Sequence, residues 1–236
     1  MFEIDEKLGK DYIRFKAIPR EELEAYFQNA NVVFKIIQDS CHRIIFNWAR
    51  GFAGRQGWII DIGCGAGAHF NYVHKGAKLL GIDSDIRALK IAKKRHPKSV
   101  FIAADMSKLP FKDGSVVSVV SFYALEHVSQ IDEALKEVYR ILKENCSFFV
   151  GLPLEGGFLW NTGRRLTSER EFSRRYGIDY SKVIKIEHCN TARRIIDNLR
   201  KIFILKRKSF FPLSFFPFIN CNLTVSIECV KKGLEN

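Results

Sequence analysis

The chain has 236 residues, 47% of them apolar and 27% charged, with a formal net charge of +12. That is room for one full-sized domain with a substantial core, and the content of large apolar residues excludes a disordered chain. No stretch approaches the roughly 20 continuous apolar residues of a bilayer-spanning helix, and the N-terminus carries charges where a secretion signal would place its apolar core.

The first fifty residues read as helical. Pro19 followed by Arg20-Glu21-Glu22 has the form of a helix start with acids in its first turn, where they oppose the helix dipole favourably. Between Tyr26 and Trp48 the apolar residues recur at spacings of three and four, as in one or two amphipathic helices. Three glycines between Gly51 and Gly57 mark a boundary.

An alternation of short apolar runs and longer helical patterns follows. Trp58-Ile59-Ile60 predicts a strand, followed by a glycine loop and a helix through about Lys75; residues 78–82 predict a second strand. Ser84 is placed to cap a helix over 85–95 that stops before Pro97. Residues 100–103 predict a third strand, and the nearly uniformly apolar 116–122 a fourth, buried on both faces. Ser129 and Asp132 have capping-box spacing, opening a helix to Lys143 that Asn145 ends with a left-handed turn. Residues 147–152 are the fifth strand, and the alternation implies a parallel sheet with helices on both faces.

After Pro153 the rhythm changes. Residues 154–188 are polar, basic and aromatic, an expected insertion over the sheet. A helix over 191–201 and strands over 202–208 and 223–230 close the chain, the last two read as antiparallel because no helix separates them. The five phenylalanines between Phe210 and Phe218 are expected to pack in a core or cap a pocket, ahead of touching a membrane. The whole is expected to be one domain, divided into helical segment 1–56, core 57–153, insertion 154–188 and closing elements 189–232.

Residues 160–209 hold fourteen basic and only five acidic side chains. Such a concentration favours anionic partners, whether phosphorylated substrates, nucleic acid or an acidic membrane surface, with a solvated helix surface as the equal alternative. The six cysteines are scattered without metal-ligand spacing, which argues against a zinc site and against a disulfide framework; no metal is expected. The expected location is the cytoplasm.

Chemistry concentrates where three predicted strands end in an acid: Ile60-Asp61, Ile82-Asp83 and Ala104-Asp105. In a doubly wound sheet, ligands bind beyond the carboxyl ends of the strands. Gly63, Gly65 and Ala68 satisfy a loose dinucleotide fingerprint, with Asp83 twenty residues after Gly63, so the loop alone admits a nicotinamide dinucleotide. Asp61 immediately before the glycines decides against that reading. A carboxylate repels a pyrophosphate but favours the ammonium and sulfonium of S-adenosylmethionine. Asp83 would accept from the ribose hydroxyls, Asp105 or nearby backbone from the adenine amino group, and the N-terminus of the next helix would receive the methionine carboxylate.

The motifs Asp61-Ile-Gly-Cys-Gly-Ala-Gly67, Gly81-Ile-Asp83, Ala104-Asp105-Met106 with Leu109-Pro110-Phe111, Tyr123-Ala-Leu-Glu-His127 and Glu137-Val-Tyr-Arg-Ile-Leu-Lys143 closely resemble those of the class I S-adenosylmethionine-dependent methyltransferases, especially the type 11 branch. The resemblance covers about residues 58–153 strongly, and Glu144-Asn145-Cys146 departs from the usual Pro-Gly-Gly turn. It implies a Rossmann-like α/β fold with a seven-stranded sheet in the order 3-2-1-4-5-7-6, strand 7 antiparallel. The expected cofactor-binding residues are Asp61, Gly63, Cys64, Gly65, Gly67, Asp83, Ser84, Asp105, Met106 and Phe122, with S-adenosylhomocysteine as product. His127 and Glu126 are the candidates for acid–base work, ahead of His188, although their recurrence in the family equally suits a structural role. Tyr123, Trp160, Arg164 and Arg165 are candidates for acceptor binding, with Arg170, Arg174 and Arg175 as further contacts for an anionic acceptor. A small-molecule, glycan or lipid-linked acceptor is expected first. An RNA methyltransferase is the alternative, followed by a nicotinamide-dependent oxidoreductase or a noncatalytic binding module.

Overall fold

A computed structural model describes residues 6–28, 32–53, 58–73 and 78–231, with only the backbone given at 6–8, 28, 32–34, 52 and 53. Seven strands, β1 (Trp58–Ile62), β2 (Lys78–Asp83), β3 (Val100–Ala103), β4 (Val116–Phe122), β5 (Leu142–Pro153), β6 (Ile204–Phe211) and β7 (Thr224–Val230), form one sheet in the order β3-β2-β1-β4-β5-β7-β6. The first five are parallel, and β7 runs antiparallel to both β5 and β6. The expected architecture, including the antiparallel strand 7, is the one observed.

One face of the sheet is covered by α5 (Ile131–Ile141) and α9 (Ala192–Ile202), whose Leu135, Val138, Ile195 and Leu199 bury against Val119, Phe148, Val150 and Ile227. The other face is covered by α3 (Val32–Ala53) through Cys41, Ile45, Phe46 and Ala49, against Ile59, Val120, Phe122 and Phe149. The alternation of side chains along each strand divides them between these two cores. Two of the motifs that carry the family resemblance serve this packing. Arg140 of α5 holds Glu137 and donates to the carbonyls of Leu109 and Phe111, while Glu137 accepts the Leu109 N–H, so Glu137, Arg140 and the Leu109–Phe111 turn fix one another.

Several local expectations are corrected. Asp85, not Ser84, caps α4 (Ile86–Arg95), its carboxylate accepting the Arg87 N–H at 2.9 Å. A carboxylate is the stronger acceptor there. Gln130 rather than Ser129 is the N-cap of α5, without a side-chain bond; Asp132 and Glu133 in its first turn complement the dipole instead. That helix ends at Ile141 because Leu142 turns extended to pair with Val116. Asn145 does take a left-handed conformation (φ 57°), but within β5, at the irregularity before Ser147 resumes pairing with Ser118. The glycine loop leads to a short 3-10 helix, Ala68–Tyr72, rather than an α-helix. The boundary glycines at 54 and 57 and the expected helix end at about Lys75 lie outside the described residues. Of the five loop phenylalanines only Phe210 is buried; Phe215, Phe216 and Phe218 are exposed, against the expectation of a core or pocket.

The insertion is three helices, α6 (Phe158–Leu166), α7 (Ser168–Tyr176) and α8 (Tyr180–Glu187). It does not stand alone. Leu23 and Tyr26 of α2 (Arg20–Gln28) share a small third core with Phe172, Ile178 and Val183, joined by Phe15 of α1 (Glu6–Ala17) and by Tyr176 and Tyr180. The N-terminal helices and the insertion, far apart in sequence, thus form one cap over the carboxyl end of the sheet.

Candidate active site

Beneath that cap, at the carboxyl ends of β1, β2, β3 and β4, lies a cleft of about 790 Å³, ample for a drug-sized ligand. Its floor is the glycine loop. Gly63 and Cys64 donate their N–H groups to the Ile82 carbonyl at 2.8 and 3.0 Å, and Gly65 donates to Oδ2 of Asp83 at 2.8 Å. The loop is therefore tied to β2, the strand that carries Asp83. Gly63 has φ 72°, and a Cβ there would lie 2.3 Å from that of Ala124. Gly65, with φ 50°, has open space where its Cβ would be. One glycine lets the loop pack on the segment after β4; the other leaves room in the cleft.

Gly63, Cys64, Gly65, Asp83, Ser84, Asp105, Met106 and Phe122 all line the cleft. Two expected members do not. Asp61 lies inside β1, paired with Gly81 and Val120 and fully buried, because β1 continues to Ile62. Its Oδ2 meets Nδ1 of His69 at 2.9 Å, and it is His69 that reaches the cleft. Burial pushes the Asp61 carboxyl above its usual range, opposed by the His69 ring. Gly67 faces α4, where a Cβ would come within 3.2 Å of Ala92, so its role is packing. Asp105 accepts from both the N–H and the hydroxyl of Ser107 at 2.7 Å, which lowers its pKa.

Across the cleft, the turn after β4 supplies Tyr123, Glu126 and His127. Tyr123 is held at φ 51°; its hydroxyl is buried and only its ring serves the cleft wall. Glu126 is buried, its Oε2 has no hydrogen-bond partner among the described residues, and burial raises its pKa to about 7. His127 stands on the rim and donates from Nδ1 to the Glu187 carbonyl at 3.0 Å, which leaves Nε2 as the acceptor. Burial of its ring, followed by neighbouring His188, holds its pKa low. His188 packs edge-on against it, 4.4 Å between centroids, and pairs with Glu155 at 2.6 Å. That carboxylate, outweighing burial, raises the His188 pKa.

Asn190, which the sequence reading did not single out, fixes this turn. Its side chain donates to the carbonyls of Leu125 (3.0 Å) and Val128 (2.5 Å), and its N–H to that of Glu126. A polar residue directly before the Thr191 helix cap was its only trace in the sequence. Lys16, Arg20 and Glu24 of the N-terminal helices also line the cleft and were likewise missed. Of the expected acceptor contacts, Trp160 and Arg164 line it, whereas Arg165, Arg170, Arg174 and Arg175 are on the outer surface of the insertion. The last stacks over Tyr26 and Tyr176. These four follow from helix geometry: only one side of α6 and α7 faces the cleft.

A sheet of this order, with a glycine loop after β1 and an acid closing β2, defines a Rossmann-like methyltransferase domain. Residues 60–150 match the family model described as Methyltransferase domain, and over that segment the chain is similar to the class I S-adenosylmethionine-dependent methyltransferases. Among its relatives, demethylmenaquinone methyltransferase of Streptomyces avermitilis is 35% identical over 86 residues, 36% of this chain and 37% of that protein. Sterol 4-C-methyltransferase of Caenorhabditis elegans is 30% identical over 98 residues, 39% of this chain and 29% of that one. The chain thus matches about a third of the length of these relatives. Magnesium protoporphyrin IX methyltransferase of Synechocystis shares the fold with a TM-score of 0.63 at 12% identity, over 98% of this chain and 100% of the other.

Proposed function

We propose that this protein transfers the methyl group of S-adenosylmethionine to a small-molecule or lipid-linked acceptor, neutral or cationic at its reacting end. The reading rests on one observation: the open face of Gly65 with the Asp83 carboxylate, and the unpaired Oε2 of Glu126, line a single capped cleft. The residues fit the cofactor. Gly65 leaves room for it, Asp83 would accept from its vicinal hydroxyls, Asp105 and Met106 border the place of its base, and His69 presents the charge of buried Asp61 to its ammonium end. S-adenosylmethionine supplies, when bound, an electrophilic methyl carbon on a sulfonium.

The chain's own residues then position and deprotonate the acceptor. Glu126, whose pKa burial raises to about 7, takes the acceptor's proton; Asn190 holds the turn that presents it. Trp160, Tyr123 and the cap helices exclude water from the cleft. Calorimetry is the test. Asp83→Ala is expected to weaken S-adenosylmethionine binding about tenfold or more, through loss of charge-assisted hydrogen bonds, with no affinity for NAD in either form. Unchanged affinity for S-adenosylmethionine would remove Asp83 from the site.

A further inference from the structure

The loop between β6 and β7 lies at the carboxyl edge of the sheet, because β6 runs antiparallel to β7 and ends where β7 begins, opposite Pro153. It is therefore on the same rim as the cleft, whose wall includes neighbouring Leu223. Its phenylalanines point outward: Phe215 is 92% exposed, Phe216 59% and Phe218 63%. The start of α6 lies against this loop, since a Cβ on Gly157 would come within 2.4 Å of the Ile219 carbonyl. There Phe158 adds a further ring, 73% exposed, with Arg165 and exposed Leu166 two turns on along the same helix face.

The charge pattern selects the occupant. From Ser209 to Ile227 the chain has no charged residue, and Lys208 stands exposed on the strand leading into the loop, beside Lys206 and Arg207, whose pairing with Glu228 leaves this flank net positive. Rings projecting from a convex, carboxylate-free loop between cationic flanks suit insertion into an anionic lipid surface, where the rings enter the headgroup and acyl boundary and the cations meet lipid phosphates. No described helix is long and apolar enough to cross a membrane. We infer that loop 213–218 and the outer face of α6 form a peripheral membrane-docking surface, which sets the mouth of the cleft against a bilayer carrying anionic lipid. This stands independently of the proposed chemistry.

Sedimentation with phosphatidylcholine vesicles, with and without phosphatidylglycerol, tests it on the full chain. The protein is expected to pellet with the anionic vesicles, less as salt rises. The variant Phe215→Ser/Phe216→Ser/Phe218→Ser should bind about tenfold or more weaker, and Arg165→Glu should weaken binding to anionic vesicles alone. Phe215→Ser by itself, at the most exposed position, serves if the triple variant does not fold. Failure of the wild type to bind any vesicle, or undiminished binding by the phenylalanine variants, would overturn the inference. So would a self-association by ultracentrifugation that the same variants abolish, which would assign the patch to a second copy of the chain.

Discussion

The two glycines of the cofactor loop should separate stability from binding. At Gly63 (φ 72°) an alanine would hold a left-handed conformation, at about 1–2 kcal/mol, and bring its Cβ to 2.3 Å from that of Ala124. The loop cannot simply retreat, because Gly63 and Cys64 are both bonded to the Ile82 carbonyl. Relieving the overlap adds about 1–3 kcal/mol, so Gly63→Ala should destabilise by about 3 kcal/mol and lower Tm by roughly 6–10 °C for a chain of this size. At Gly65 (φ 50°) nothing lies within 4 Å of the added methyl, leaving only about 1 kcal/mol of backbone strain. That methyl would stand in the cleft, and Gly65→Ala should lower S-adenosylmethionine affinity about tenfold. Thermal unfolding without ligand and calorimetric titration measure the two effects. Equal losses of stability in both variants, or wild-type affinity in Gly65→Ala, would refute the assignment of one glycine to packing and the other to the ligand.

Glu126→Gln should remove a pH dependence of folding. Because burial raises the Glu126 pKa from 4.5 to about 7, its contribution is fully present below pH 4.5 and is lost as pH rises through 7, so wild type should lose about 3 kcal/mol relative to the variant across that window; parallel stability curves at pH 5 and 8 would contradict this. Phe172→Ala, at the fully buried centre of the cap core beside Tyr26, Tyr176 and Tyr180, should cost about 3–5 kcal/mol and expose the insertion to limited proteolysis, with the sheet retained by circular dichroism. Arg207→Ala, which strips buried Glu228 of its guanidinium and vacates the Trp48 ring face, should destabilise by about 2 kcal/mol in urea unfolding.

The sheet was legible because its signals are local and repeated. The first three parallel strands are short, mostly apolar runs with an acid at or just beyond their carboxyl end, and 116–122 is buried at every position. Helix ends were less legible, since Ser84 and Asp85, or Ser129 and Gln130, compete for one cap and neighbouring groups decide. Asp61 sits one residue short of the strand's end: the strand extends to Ile62, which turns the carboxylate inward and leaves His69 to reach the cleft. The cap was legible only as an insertion over the sheet, not in its partnership with the N-terminal helices. Tyr26 and Phe172 sit in one core although their helices belong to opposite ends of the chain, and no periodicity within either helix names the other as its partner.

Charge shows most sharply why composition does not describe a site. The excess of cations in residues 160–209 raises the potential around the whole molecule and argues for anionic partners. The cleft has the opposite balance. Its lining cations, Lys16, Arg20 and Arg164, are engaged with Glu187, Glu24 and Glu169 respectively. Its walls meanwhile carry the carboxyl groups of Glu24, Asp83, Asp85, Asp105, Glu126, Glu155 and Glu187. A crowd of carboxylates in a capped cleft favours a cationic sulfonium and disfavours a phosphate beside it. The same crowd acts on Glu126, where burial is the main cause of the raised pKa and Glu155 adds to it, so the group best placed to take a proton is also held where it can exchange one near neutrality. The outward cations are left to act on what lies outside the cleft, and an anionic surface met by the rim would turn the reacting end of the site toward it without placing any negative charge inside.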